Sequence, residues 1–203
     1  MQEAMSDKIL LLIIDKLAIG LLILVAGYFV NKTLERFRGE QALRKEYESL
    51  RDRTALTHLQ RQIEELYSPL LGLLTQSKIV FDIAEKKLPN RLGGQAHTSP
   101  EEDETWRYFV EHYFLPLNKQ MADLVRTKVY LIPTDAMPES FNLFLMHQAQ
   151  FDCLHALWRD KGISSMEVPG IGWPKGFQED VKQTLASLRK THNENLRRIE
   201  RMA

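Results

Sequence analysis

Cysteine is almost missing: Cys153 is the single thiol in 203 residues. One thiol closes no internal disulfide and builds no thiolate metal cage, so neither can staple this chain. It fits a reducing compartment. An excess of charge is missing too, since 27 basic side chains face 27 acidic ones at net zero. Broad attraction to nucleic acid needs a basic surplus that displaces counterions, so no nucleic-acid partner is expected. Low complexity is also absent. With 44% of residues hydrophobic, there is material for a packed core.

Catalytic signatures are missing as well. No GxGxxG fingerprint, phosphate loop, GxSxG elbow or HExxH zinc motif occurs. The glycine-dense run from Pro169 to Gly176 contains Lys175 but lacks the serine or threonine a phosphate cradle uses. The expectation is therefore a non-enzyme without cofactor.

What is present is a greasy leader. Residues 9 to 30 read ILLLIIDKLAIGLLILVAGYFV, apolar or glycine apart from Asp15 and Lys16. As a helix the run measures about 33 Å, against a hydrocarbon core of roughly 30 Å. Its apolar side chains, each favourable by about 0.3–0.6 kcal/mol, match or outweigh the two charges at about 3 kcal/mol each or less. A cleaved signal peptide fits poorly, because Glu3 and Asp7 sit in the n-region and the run passes Val25-Ala26-Gly27. A buried helix of a soluble protein is the other rival. The reading adopted is a retained single-pass anchor in a lipid bilayer.

Flanking charge orients it. Lys32, Arg36, Arg38, Arg44 and Lys45 follow the run, while only Lys8 precedes it. The C-terminal side is expected to be cytoplasmic and the short N-terminus outside, with the layout of a bacterial inner-membrane protein. Asp15 and Lys16 are neighbours, so on a helix they point about 100° apart and cannot neutralise one another in one chain. They either snorkel to the interface or pair between chains. Ile13, Gly20, Gly27 and Leu34 recur every seven residues. The two glycines would let a second helix approach on that face, so a homo-oligomer stands as the alternative to simple snorkelling.

Beyond Asn31 no proline intervenes before Pro69, and good helix formers dominate. A helical stalk is expected over 32–66, with a short, interrupted coiled-coil-like stripe through Leu43, Tyr47, Leu50, Leu56, Leu59, Ile63 and Leu66. Ser68 with Pro69 reads as an N-cap opening a new helix, or as a kinked continuation. Pro89 stops that helix, and 89–103 is the flexible loop. Ser99, Pro100 and Glu102 form a capping box. The helix it opens carries Trp106, Phe109, Tyr113, Leu117, Met121 and Leu124, with a bend near Phe114 forced by Pro116. A further helix presents Phe141, Phe144, Gln148, Phe151, His155 and Trp158 and ends near Gly162. The last follows Phe177, Val181, Leu185 and Leu188. No segment alternates with a period of two, so the whole is all-α: an anchor over 1–31, a stalk over 32–66, and a roughly five-helix cytoplasmic bundle over 67–203.

Three candidate sites lie in the bundle. Asp152 and His155, three apart on one helix, have the spacing of a carboxylate-imidazole pair. A helical-bundle di-iron site needs two such pairs and two more glutamates, so with only Glu104, Glu111 and His112 nearby a packed histidine is favoured over metal. Cys153 is expected to be buried and inert. Trp173, in a loop of prolines and glycines, either plugs the bundle end or meets a protein partner. The expected function is a membrane-anchored interaction or scaffold protein. The alternatives are a metal-dependent helical-bundle enzyme using Asp152, His155 and Glu111, and a membrane-perturbing oligomer built around Asp15 and Lys16.

Overall fold

The computed structural model describes residues 2–92, 99–163 and 171–202, with side chains over 20–92, 99–163 and 171–201. Among these residues helices are the sole regular elements: α1 (Gln2–Arg61), α2 (Ser68–Lys87), α3 (Pro89–Leu92), α4 (Pro100–Phe109), α5 (Leu115–Thr127), α6 (Glu139–Lys161) and α7 (Phe177–Met202). Two π-helical turns, Gln62–Tyr67 and Val110–Phe114, and a 3-10 turn, Val129–Leu131, complete the set. The chain divides into two compact units, Met1–Arg53 and Thr54–Ala203.

The first unit is α1 for nearly all its length. Asp15, Lys16 and the first half of the apolar run lie outside the residues whose side chains are described. No helix among the described residues is long and apolar enough to cross a membrane. The described half of the run, residues 20–30, would span only about 16 Å, roughly half a hydrocarbon core. Within it Leu21, Leu22, Ile23, Leu24, Val25, Tyr28, Phe29 and Val30 are all 46–73% exposed. Because consecutive residues step about 100° around a helix, this exposure covers every face rather than one stripe. A side chain at Gly20 or Gly27 would meet nothing within 4 Å. Leu43, Tyr47 and Leu50 are exposed likewise.

The second unit is a helical bundle. Its connections run largely as the punctuation dictates. Ser99 caps α4, its Oγ accepting from the Glu102 amide at 3.1 Å. Gly162 closes α6 with φ of 70°, the left-handed conformation that glycine adopts without a Cβ clash. The Glu102 carboxylate does not complete the reciprocal bond, but accepts from the Asn90 amide at 3.4 Å. It thereby ties α3 to α4, as Arg91 does through Asp103.

Of the two readings of Ser68 and Pro69, the continued helix is the one found. Ser68 is helical, φ −70° and ψ −47°, and caps nothing. The rod continues from α1 into α2 through the π turn, which ends two residues before Pro69. The same happens at the second turn, which ends two residues before Pro116. Proline has no N–H to donate and its ring crowds the carbonyl four residues back. Those carbonyls belong to Glu65 and His112, both inside the π turns. A wider turn relieves the crowding without breaking the rod.

The second π turn also corrects the expected face. Tyr113 is exposed; Val110, Phe114, Asn118, Met121 and Val125 are buried instead. Three consecutive steps of four, 106 to 110 to 114 to 118, would drift about 120° around an α-helix at 3.6 residues per turn. The π turn absorbs that drift and keeps them on one side.

Packing forms two clusters. The larger joins Leu66, Tyr67, Leu70 and Leu74 to Met121, Val125, Phe141, Phe144, Phe177 and Val181, with Leu59 and Ile63 against it. Phe144 stacks on Phe177 with centroids 4.4 Å apart, while Phe141 meets Phe177 edge-on at 5.0 Å. The smaller cluster gathers Ala84, Leu88, Val110 and Phe114, with Trp106 and Phe151 beside them. Buried Gln62 is satisfied by donating Nε2 to the Leu131 carbonyl at 2.9 Å. Near it, Glu65 accepts from Arg61 at 2.8 Å and Lys128 at 2.6 Å. Those two bonds hold its carboxyl at about 2 against an ordinary 4.5.

Phe144→Ala should lower the free energy of unfolding by about 3–5 kcal/mol in urea titrations, the usual cost of deleting a buried ring. Burial pushes the Tyr67 hydroxyl from 10.0 up to about 12. The native state thus keeps a proton that the unfolded chain releases near 10, so this contribution is intact below pH 10 and disappears as pH rises through 12. Thermal melts should therefore fall over that window, and Tyr67→Phe should flatten the decline.

Candidate functional site

The buried stripe of α2 runs Leu70, Leu74, Ser77 and Ala84, with Phe81 exposed beside it, and that of the second rod runs Phe114, Asn118, Met121, Val125. Each is apolar on both sides of one small or polar residue. Ser77 and Asn118 stand where large apolar side chains would close the core, and both are buried. Beside them lies a pocket of about 390 Å³, partly open to solvent, with Leu74 of the larger cluster on one side and Phe114 of the smaller on the other. Trp106, Phe81 and Phe151 add aromatic walls.

Trp173 provides a further wall. Its ring lies edge-on to Phe144 at 5.7 Å and to His147 at 5.5 Å, and it remains 39% exposed. It thus packs on the bundle by one part and reaches solvent by another. The segment carrying it is clasped to α6 at Ile171. His147 donates Nδ1–H to the Ile171 carbonyl at 2.6 Å, and the Gln150 Oε1 accepts from the Ile171 amide. A carbonyl only accepts, so this bond sets the protonated nitrogen of His147.

The polar equipment is sparse. Asn118 is 3% exposed, and its Oδ1 has no hydrogen-bond partner in the structure. Leaving a buried acceptor unpaired costs about 1–3 kcal/mol. Lys78, at the cavity edge, is already engaged: its Nζ lies 3.0 and 3.3 Å from the two Asp82 oxygens.

The Asp152 and His155 spacing does not produce a joint site. Asp152 accepts from Gln148, which in turn accepts from Arg126 at 2.9 Å. His155, 8% exposed, instead lies 3.2 Å from Glu111 across the bundle and stands edge-on to Trp158. It is a packed, satisfied histidine. Glu104 is exposed, and His112 stacks on Tyr108 at 4.3 Å. Among the described residues no three His, Cys, Asp or Glu side chains are grouped to hold a metal ion. Cys153 corrects an expectation: it is exposed, because the buried face of α6 passes through Gln148 and His155 and leaves position 153 outside.

Trp173 was the one cavity residue that sequence singled out as a candidate contact. The others read as ordinary core positions; the available signal was the pair of polar interruptions, Ser77 and Asn118, in otherwise apolar stripes. Comparison with protein-family models, curated proteins and solved structures finds no match for this chain.

Loosening the clasp should expose the indole. In a chain whose only tryptophan is Trp173, made with Trp106→Phe and Trp158→Phe, adding His147→Ala and Gln150→Ala should raise acrylamide quenching of its fluorescence. Unchanged quenching would show that the ring contacts alone hold the segment.

Proposed function

We propose that this protein is a membrane-anchored, non-catalytic helical adaptor, whose bundle presents a binding surface at the cytoplasmic face. The observation that carries the reading is the exposure of the apolar run from Leu21 to Val30 around its full circumference. An amphipathic docking helix hides one stripe, whereas a helix apolar on every side asks for an apolar solvent. Residues 9 to 30 together have the length for that solvent to be lipid. Lysine and arginine after the run support a bundle on the inner side. Tyr28 lies beside Lys32, whose Nζ is 5.6 Å from the ring centroid, an aromatic-basic pairing suited to a headgroup boundary.

Around this anchor, Asp15 and Lys16 lie towards the outer half of the span, where snorkelling or pairing with a second copy relieves them. Gly20 and Gly27, with open space where a Cβ would be, are the seam along which that copy would pack. In the bundle, the partly exposed Trp173 is the contact offered to a protein partner, since aromatic rings that are half packed and half wet suit interfaces.

The test is fractionation. The full-length chain should stay in the pellet after alkaline carbonate washing of membranes and float with lipid vesicles, while residues 32–203 should stay in the supernatant with a helical circular dichroism spectrum. A full-length chain that remains in the supernatant without detergent overturns the anchor.

A further inference from the structure

The pocket beside Ser77 and Asn118 has a lining with one sign of charge, whichever solvent surrounds the leader. We propose that it binds a small aromatic monocarboxylate, with the ring between the two clusters and the carboxylate at the mouth beside Lys78. The ring follows from the walls. Phe81, Trp106, Phe114, Phe151 and Trp173 line the space, and aromatic faces and edges favour a flat ring set offset or edge-on against them. About 390 Å³ lies within the roughly 300–1,000 Å³ usual for small-molecule sites.

The carboxylate follows from the polar groups. Those with a fixed role only donate: the Lys78 ammonium and the indole N–H groups of Trp106 and Trp173. Among the described residues no aspartate or glutamate lines the pocket. Ser77 and Gln178 donate or accept as required, and His147, whose Nδ1 is spent on the Ile171 carbonyl, adds Nε2. A ligand that supplies acceptors therefore finds partners, whereas an ammonium meets a like charge. Because the pocket is partly open to solvent, a carboxylate at its mouth keeps part of its hydration while the ring is buried, which lessens the cost of desolvating an ion.

Asp82 is a weak competitor for the Lys78 ammonium. The pair lies at 3.0 Å with side chains 60% and 46% exposed, and exposed pairs one turn apart contribute little. Its order is also the poorer one, since an acid on the N-terminal side of the base suits the helix dipole better. A ligand carboxylate against aromatic walls meets the same ammonium in a medium of lower dielectric, where the attraction is stronger.

Calorimetric titration of the full-length chain in nanodiscs of zwitterionic lipid, with the heats of empty nanodiscs subtracted, decides this. A chain that fails to enter nanodiscs loses the anchor but is titrated in buffer, so the two readings fail separately. The probes are 2-naphthoate, 2-naphthamide and 2-naphthylmethylammonium, one bicycle bearing an anion, a neutral amide or a cation. One naphthoate per chain is expected, bound about tenfold more tightly than the amide, the discrimination of one charge-assisted hydrogen bond. Lys78→Met should raise the naphthoate Kd to that of the amide, and Asp82→Asn should tighten naphthoate about twofold by removing the competitor. Four results would overturn the site: no saturable heat with naphthoate, naphthoate no tighter than the amide or the ammonium, decanoate tighter than naphthoate, or a naphthoate preference that survives Lys78→Met. Both substituted side chains are exposed, so neither variant removes core packing.

Discussion

Two absent hydrogens govern this bundle. Pro69 and Pro116 each withhold a backbone N–H from the middle of a rod, and each ring would collide with the carbonyl one turn back. A break at either place would give separate helices free to choose their own angle. Instead the backbone widens into π turns at Gln62–Tyr67 and Val110–Phe114, and the rods run on. The wider turns set which residues face inward. The first puts Gln62, Leu66 and Tyr67 in the interior, and the second puts Val110 and Phe114 there.

The cavity is a downstream result of that register. Phe114 closes the second π turn and Asn118 lies one turn later, so both face α2 only because the drift of the preceding steps has been absorbed. Opposite them α2 offers Ser77, too small to fill the space. Filling it with leucine at either position would strengthen the core by ordinary hydrophobic burial. The chain instead holds two apolar clusters apart around a polar amide, with the Ile171 clasp bringing Trp173 to the same place. Local rules of capping and periodicity are obeyed nearly everywhere else, which makes the exceptions at Ser77 and Asn118 informative.

Much of the architecture was legible in the sequence because it is written in short-range code. The Ser99 cap, the Gly162 terminus, the stop before Pro89 and the stripes of α6 and α7 depend on residues within a turn or two of one another. The face of residues 106–128 was misjudged by about one position, since periodicity assumes 3.6 residues per turn and the π turn breaks that assumption. Between the two readings of Ser68 and Pro69 the local code could not choose: serine before proline opens a helix only where the chain arrives extended, and here it arrives helical. His155 found Glu111, 44 positions away, rather than Asp152 on its own helix. Such partners are set by how rods pack, which no local spacing encodes. The cavity belongs to the same class, because a void is a property of facing surfaces. Its trace was present only as two polar residues in apolar stripes.

The lone thiol on the outer side of α6 carries a practical corollary. With a thiol available at a single place on the surface, aerial oxidation to disulfides can join polypeptides only in pairs, never in longer strings. Preparations kept without reductant would then show a covalent doublet on non-reducing gels. Such a band would report nothing about native assembly.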